Sequence, residues 1–373
     1  MTPGTCLSTA RLTRHLAFAL IATMMIIAVV VNAPIRASAL SVDACNCVIF
    51  RLDDIQDFWL VPVQSAIIDK FIERNENLDL GVIMNFVGND PAIVNKVRQG
   101  VATGLIETVL HGWNHVPYDT LSLQEQHDTL QMANAKLQDL FGRKTTIFIP
   151  PYNAYNEDTL EATSQLGLKI ISSEFDQELP SIYDPDDPNS PNNKVYKAIA
   201  GSDIKDQFGV YHLPQVVGYY TYDSEPPTKT PLSFIQSQIN DTIANYGYAV
   251  ITLHPQDFTV KDANGNPTPV LSQEEMNDLD ALITWIGDQE YHIRTFSSVT
   301  NVPLPPIIDN IPPNITAPAD KAVVSTSELT PVDLGTPAVS DNVDTSPTVT
   351  NDAPAGGFPQ GLTVVTWTAT DDA

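Results

Sequence analysis

Short apolar runs alternate along this chain with stretches of helical period. Val48-Ile49-Phe50-Arg51-Leu52 predicts a buried strand, and Asp53-Asp54 stands at its end. Val63, Ile67 and Phe71 then recur at i, i+4 and i+8 behind Pro62, which predicts a helix. Residues 80–84 predict a second strand and 92–99 a helix. Thr108-Val109-Leu110 predicts a third strand, running into His111-Gly112-Trp113-Asn114-His115. Gly112 and Pro117 argue against a helix there and for a strand entering a loop. Ser122 with Glu125 has the capping-box spacing and opens a helix to about residue 140. Residues 145–149 predict a fourth strand ending in Pro150-Pro151-Tyr152, Asn156 caps a further helix, and 168–172 predict a fifth strand. This alternation predicts an α/β fold with a mainly parallel sheet, open or closed into a barrel.

The rhythm breaks between residues 174 and 231. Residues 184–193 are rich in Pro, Asp and Asn and predict a surface excursion, while 210–217 predict a strand. Regularity returns with a helix over 232–245 and a strand over 248–253 that ends in His254-Pro255. Ser272 with Glu275 caps a helix through Trp285, and 293–296 predict a closing strand. Pro303-Leu304-Pro305-Pro306 reads as a linker. Beyond it helical periodicity disappears, and runs such as 362–367 alternate as sandwich strands do, which predicts a second, all-β module.

At the N-terminus Arg11, Arg14 and His15 precede the apolar run 16–31, and Ala37-Ser38-Ala39 offers a small-x-small cleavage site. This predicts a signal peptide over 1–39 and a secreted or cell-surface protein. Left uncleaved, the run would anchor the chain in a membrane. The 373 residues allow one large domain and one small one, and a formal net charge of −26 argues against a nucleic-acid partner. Cys6 leaves with the signal. Cys45 and Cys47 sit too close in sequence for an easy disulfide, and no further Cys completes a metal site with them. Asn314-Ile315-Thr316 is a glycosylation sequon.

The candidate chemistry lies at strand ends. Asp53-Asp54, His111 with His115, Pro150-Pro151-Tyr152 and His254 each follow a predicted strand. In parallel α/β folds that rim is where sites are built. Each group alone reads as a turn, a loop or a structural histidine; together and in this order they point to one mouth. Two His and one carboxylate make a hydrolytic zinc site with an open position. The second Asp is then free to act as base, and a further His can protonate a leaving amine. The set suits amide or ester hydrolysis.

These residues resemble the motifs of the polysaccharide deacetylase family, also called NodB-homology or carbohydrate esterase family four. Arg51-Leu52-Asp53-Asp54 is similar to its Asp-Asp motif, and His111-Gly112-Trp113-Asn114-His115 to its His-(Ser/Thr)-x-x-His motif. Ile149-Pro150-Pro151-Tyr152 is similar to its Arg-x-Pro-Tyr motif, and Leu253-His254 to its Leu-x-His-type motif. The resemblance covers about residues 47–296 and implies a distorted (β/α) barrel with one divalent metal, zinc being the expected ion. It implies that Asp53 is the general base, that Asp54, His111 and His115 bind the metal, that the Tyr152 N–H meets the oxyanion and that His254 is the general acid. The implied substrate is an N-acetylated glycan, with Trp113, Pro151 and Tyr118 as candidate sugar contacts.

The chain departs from the pattern at three points. Gly112 replaces the Ser/Thr. Phe148 and Ile149 stand where the family's base-steadying Arg is expected, leaving Arg51 or Arg143 to substitute. The family's Asp-and-Trp motif has no clear counterpart, and Asp176, with Glu174 behind it, is the nearest acidic candidate to orient His254. The C-terminal stretch resembles a hyalin repeat, an immunoglobulin-like sandwich, through Pro312-Pro313-Asn314-Ile315, Ser340-Asp341-Asn342-Val343-Asp344 and Thr366-Trp367-Thr368-Ala369-Thr370-Asp371. The expected organisation is a signal over 1–39, a deacetylase-like domain over 40–303, a linker over 304–311 and an incomplete sandwich over 312–373. Such a module implies a cell-surface or matrix partner. Two other readings compete: a decayed carbohydrate-binding or adhesion protein on the same scaffold, and an amidohydrolase acting on a small non-sugar substrate.

Overall fold

A computed structural model describes residues 45–174, 206–222, 226–309 and 311–371. The expected signal segment, the expected 184–193 excursion and Asp176 lie outside the described residues.

Strand β1 (Cys47–Ile55) is buried along nearly its whole length, as its apolar run requires. Helix α1 (Val61–Arg74) follows with Pro62 in its first turn and lays Val63, Ile67, Ile68 and Phe71 on the sheet. Strand β2 (Leu78–Val82) starts two residues before the expected run, and Met84 already belongs to a 3-10 turn. Helix α2 (Pro91–Ala102) is capped by Asp90 and leads to β3 (Ile106–Leu110). Helix α3 (Leu123–Phe141) carries the expected Ser122/Glu125 capping box and stops at left-handed Gly142. Then come β4 (Ile147–Phe148), α4 (Glu157–Gln165) behind its Asn156 cap, and β5 (Ile170–Ile171).

The expected strand over 210–217 is divided. β6 (Tyr211–His212) pairs with β5, and β7 (Val217–Gly218) pairs with β10 (Tyr248–Leu253). Its N–H groups change partner on the way: Leu213 and Gln215 donate to Ile171 and Ser173, whereas Val216 and Tyr219 donate to Val250 and Thr252. One stretch thereby joins the two ends of a parallel sheet ordered β6-β5-β4-β3-β2-β1-β10-β7. The result is a curled, parallel (β/α) half-barrel.

Between β7 and β10 lie a small hairpin, β8 (Tyr220–Thr221) with β9 (Thr228–Lys229), and helix α5 (Leu232–Tyr246). After β10 a second hairpin, β11 (Thr259–Lys261) with β12 (Pro267–Leu271), was not expected; its turn is tied by Asp262, which accepts from the backbone of Asn264 and Asn266. Helix α6 (Gln273–Asp288) follows, then β13 (His292–Ile293), which pairs with β1. The closing strand stops there, because Thr295 caps helix α7 (Phe296–Thr300). Two cores result. The larger packs the outer face of the sheet against the helices, and the smaller fills the barrel with Ile49, Val109, Ile149, Val250 and Phe296.

One expectation, at the two cysteines, needs correction. Cys45 and Cys47 are joined by a disulfide; left-handed Asn46 brings their Cα atoms to 5.0 Å, inside the usual range. The C-terminal stretch does not show a packed sandwich. It holds two separate antiparallel pairs, β14 (Asn314–Thr316) with β15 (Ala338–Ser340) and β16 (Thr348–Asn351) with β17 (Trp367–Thr370). Val324, Leu362 and Val364 are exposed, and no described apolar side chain beyond Val299 is buried. Of the alternation over 362–367, Leu362 and Val364 are exposed while Val365 and Trp367 are half-buried. Among the described residues no helix is long and apolar enough to cross a membrane.

Candidate active site

β1 delivers two neighbouring carboxylates to one place. Strand alternation should send Asp53 and Asp54 to opposite faces. Asp54 instead adopts φ +65°, the register with β2 shifts there, and both residues line the same cleft. Asp tolerates this left-handed conformation better than most residues. Gly81 on β2 leaves the room: a Cβ on it would lie 2.9 Å from Asp53 Oδ1.

The histidines converge through the turn that follows β3. Gly112 and His115 have φ +78° and +52°, which bends the loop back on itself. The His111 and His115 rings lie 4.9 Å apart, with Nε2 atoms 3.4 and 3.1 Å from Asp54 Oδ1. His111 Nδ1 lies 3.0 Å from the Ile149 carbonyl and donates to it, so its Nε2 lone pair faces Asp54. Burial alone would raise the Asp54 carboxyl, but when the imidazoles are protonated their N–H groups and charge hold it well below the usual carboxylate range. Ser or Thr would be strained at Gly112, because a Cβ would meet Pro151 at 3.0 Å and Tyr118 at 3.3 Å as well as the positive φ.

Arg51 supplies the cation that the Pro150–Tyr152 segment lacks. Its Nε lies 3.2 Å from Asp53 Oδ2, and both side chains are 2% exposed. Its other nitrogens donate to the Ser172 carbonyl at 2.7 Å, to Asn153 Oδ1 at 2.9 Å and to Gln215 Oε1 at 3.3 Å. The guanidinium thus spans β1, β5 and the turn that carries Tyr152. Arg143 does not line the cleft. Asp53 Oδ1 has no hydrogen-bond partner among the described residues.

Tyr152 sits on that turn with φ +57°, followed by Asn153 at +56°, and its exposed ring packs on His115 at 4.7 Å. Across the cleft, His254 follows β10. Its Nδ1 is 3.7 Å from Asp257 Oδ2, which also accepts the His254 backbone N–H at 2.9 Å. Burial pulls the imidazole down, but Asp257, with Asp54 and Asp53 behind it, outweighs that and pushes His254 up to about 9. Asp257 is therefore the acid that faces His254 among the described residues. A signal for it was present, an acid three residues after His254 in a His-Pro-x-Asp turn, the spacing of a cap.

The cleft has a volume of about 960 Å³. The structure brings Asp53, Asp54, His111, His115, Tyr152 and His254 together along it. It does not bring Trp113, Pro151 or Tyr118 there. Tyr118 is 1% exposed and packs on Phe148, and burial raises its hydroxyl to about 12. Pro151 is buried beneath Gly112. Trp113 packs against the outer core with Lys136 over its ring. The aromatic residues that do face the cleft are Tyr152, Tyr220, Tyr222 and Phe234. Tyr220 and Tyr222 come from the segment where the strand–helix rhythm is lost, so nothing in the periodicity pointed to them, and Phe234 stands in the first turn of α5. A second acidic cluster, Asp309 with Asp341 and Asp371, contains no imidazole.

Residues 60–171, which include His111, His115 and Tyr152, match the family model for polysaccharide deacetylase. A bifunctional xylanase/xylan deacetylase of Cellvibrio japonicus is 25% identical over 105 residues, 28% of this chain. The match spans only 16% of that protein's length. Among solved structures, a family 4 acetyl xylan esterase from Clostridium thermocellum, in complex with a cobalt ion, is 15% identical with a TM-score of 0.41. That alignment covers 69% of this chain and 91% of the esterase. A CE4 family pseudoenzyme from Bacillus anthracis is 14% identical with a TM-score of 0.42, over 68% of this chain and 65% of its own. The family match and the geometry of the cleft together support a polysaccharide deacetylase domain in this chain.

Proposed function

We propose that the domain is a metal-dependent hydrolase that removes N-acetyl groups from a glycan. The observation that carries this reading is the convergence of His111 and His115 Nε2 on one oxygen of Asp54, with Asp53 and His254 flanking the same cleft.

The residues fit a divalent ion. Their ligand atoms all lie within 4.8 Å of one another, and Asp54 Oδ1 is buried with no hydrogen-bond partner besides the two imidazole nitrogens it faces. The tautomer of His111 is set by Ile149. Two imidazoles and a carboxylate suit zinc. Bound there, the ion supplies Lewis acidity, polarising a carbonyl and making water a stronger acid.

The chain's own groups do the rest. Asp53, held through Oδ2 by Arg51, takes a proton from the attacking water on its free Oδ1. The Tyr152 N–H stabilises the oxygen that gains negative charge. His254, with Nδ1 turned to Asp257, gives a proton from Nε2 to the sugar nitrogen as the C–N bond breaks. Acetate and the free amine leave. With His254 pushed up to about 9, the proton is in place at neutral pH.

The decayed-binder reading rested on a missing arginine, and Arg51 removes that ground. Exposed Tyr152, Tyr222 and Phe234 along the cleft favour a sugar over a small enclosed substrate. The match to a xylan deacetylase makes O-acetyl esters the second substrate to try. Export through residues 1–39 and a spacing or adhesion role for 312–373 belong to the same proposal.

The test uses the full chain: bound metal is quantified and acetate release is assayed on N-acetylglucosamine oligomers, with His111→Ala alongside. One equivalent of metal and acetate release, both lost in His111→Ala, are expected. A wild-type protein that binds no metal would refute the site.

A further inference from the structure

The β8–β9 hairpin walls the side of the cleft that holds His254. It is fastened from behind to α6. Lys229 pairs with Glu275 at 2.6 Å and with Asp278, and the Tyr220 hydroxyl donates to Glu275 Oε1 at 3.0 Å. Tyr222, one residue beyond β8, reaches from this fixed hairpin towards the end of β10. Its hydroxyl donates to Asp257 Oδ1 at 2.5 Å. Its ring stands edge-on to the His254 imidazole, with centroids 5.2 Å apart at 70°.

Asp257 is 1% exposed, so each of its oxygens needs a partner. Oδ2 serves His254, through the backbone N–H at 2.9 Å and Nδ1 at 3.7 Å. Oδ1 is taken by the Tyr222 hydroxyl. The carboxylate therefore cannot rotate to offer His254 a different oxygen without giving up the phenol. The Tyr222 ring in turn stands against the imidazole face while keeping 45% of its own surface exposed in the cleft.

We propose that Tyr222 is a positioning residue for the general acid. Its phenol fixes the Asp257 carboxylate, which holds the His254 backbone N–H and sets its negative charge 3.7 Å from the imidazole Nδ1. The hairpin thus completes the acid from a part of the chain that carries none of the family-like motifs. The inference rests on the reading of His254 as the acid.

A general acid matters in proportion to the basicity of the leaving group. A sugar amine leaves only with a proton, whereas 4-nitrophenolate leaves without one. The experiment compares full-length wild type, Tyr222→Phe, Asp257→Asn and the double variant on an N-acetylglucosamine oligomer and on 4-nitrophenyl acetate. Tm is recorded for each. Tyr222→Phe keeps the ring and loses only the hydroxyl. The expected result is a fall in kcat on the oligomer that exceeds the fall on the aryl ester by about tenfold, with KM moved less than kcat. In the Asp257→Asn background Tyr222→Phe should add little, because the two act as one unit. Equal losses on both substrates, no loss on the oligomer, or fully additive losses in the double variant would overturn the proposal. A wild type inactive on both substrates would overturn the underlying reading of the site; activity that is unselectively affected by Tyr222→Phe overturns only the role given to the phenol.

Discussion

Two buried carboxylates face the interior of the same half-barrel and have opposite neighbours. Asp53, at the C-terminal end of β1, is 2% exposed and lies 3.2 Å from the guanidinium of Arg51. Asp79, near the N-terminal end of β2, is fully buried and sits directly across from Glu107 on β3. Burial raises Asp79 well above the usual carboxylate range, and the charge of Glu107 raises it further. Glu107 is raised too, by burial, although Ser297 and Thr295 offset part of this with hydrogen bonds. The lower pair fastens the plug helix α7: Asp79 accepts the Phe296 N–H at 3.2 Å, and Glu107 accepts the Ser297 hydroxyl at 2.8 Å. Burial alone therefore does not mark a catalytic carboxylate. The partner decides: a fixed cation beside Asp53 suits a base, and a second acid beside Asp79 suits a proton-sharing strut.

The largest expected effect comes from separating the upper pair. Arg51→Met leaves Asp53 buried without its cation, which should cost about 3–5 kcal/mol of stability in denaturant unfolding. Acetate release should fall with it, and Arg51→Lys should recover only part of both, because an ammonium cannot span Asp53, Ser172, Asn153 and Gln215 together.

The lower pair gives a smaller effect of opposite sign. Both groups have folded values raised above their unfolded ones. The stability they contribute is complete below the unfolded values, about 4, and is lost as pH rises through the folded values. Asp79→Asn removes that loss while keeping an acceptor for the Phe296 N–H. The variant should gain about 3 °C or more in Tm at pH 8 and gain little at pH 4. A Tm difference that does not change with pH would separate Asp79 from the proton-sharing role.

A third variant probes the turn between the ends. Gly112→Ala meets both the positive φ and Pro151, and should cost about 1–3 kcal/mol. Metal content should fall as well if the loop reorganises, since His111 and His115 flank it. Unchanged Tm and metal content would show that the loop accommodates a side chain.

How much of this was legible in the sequence follows from where each residue sits. Asp53, Asp54, His111, His115 and His254 follow strands whose apolar runs stand out, so position and chemistry coincided. Asp79 and Glu107 lie inside strands, and no pattern along the chain shows that two acids will face each other across a register. Arg51 was visible, but its reach to Ser172, Asn153 and Gln215 on three other segments is a property of the curled sheet. Asp257 was signalled only by its cap spacing after His254, and Tyr222 was hidden in a hairpin of two-residue strands that carries no periodic signal. Trp113 and Tyr118 were misplaced because aromatic residues beside a site motif serve a core as readily as a substrate.

The most direct test of the contrast measures acetate release by Asp53→Asn and Asp79→Asn beside wild type, with metal content determined on the same samples. The account predicts that all three bind one equivalent of metal. Asp79→Asn should keep its rate within about twofold, while Asp53→Asn should lose about 10²–10⁴-fold in kcat. An Asp53→Asn variant that retains metal and still hydrolyses at the wild-type rate would contradict the assignment of the base and the lesson drawn from its neighbour.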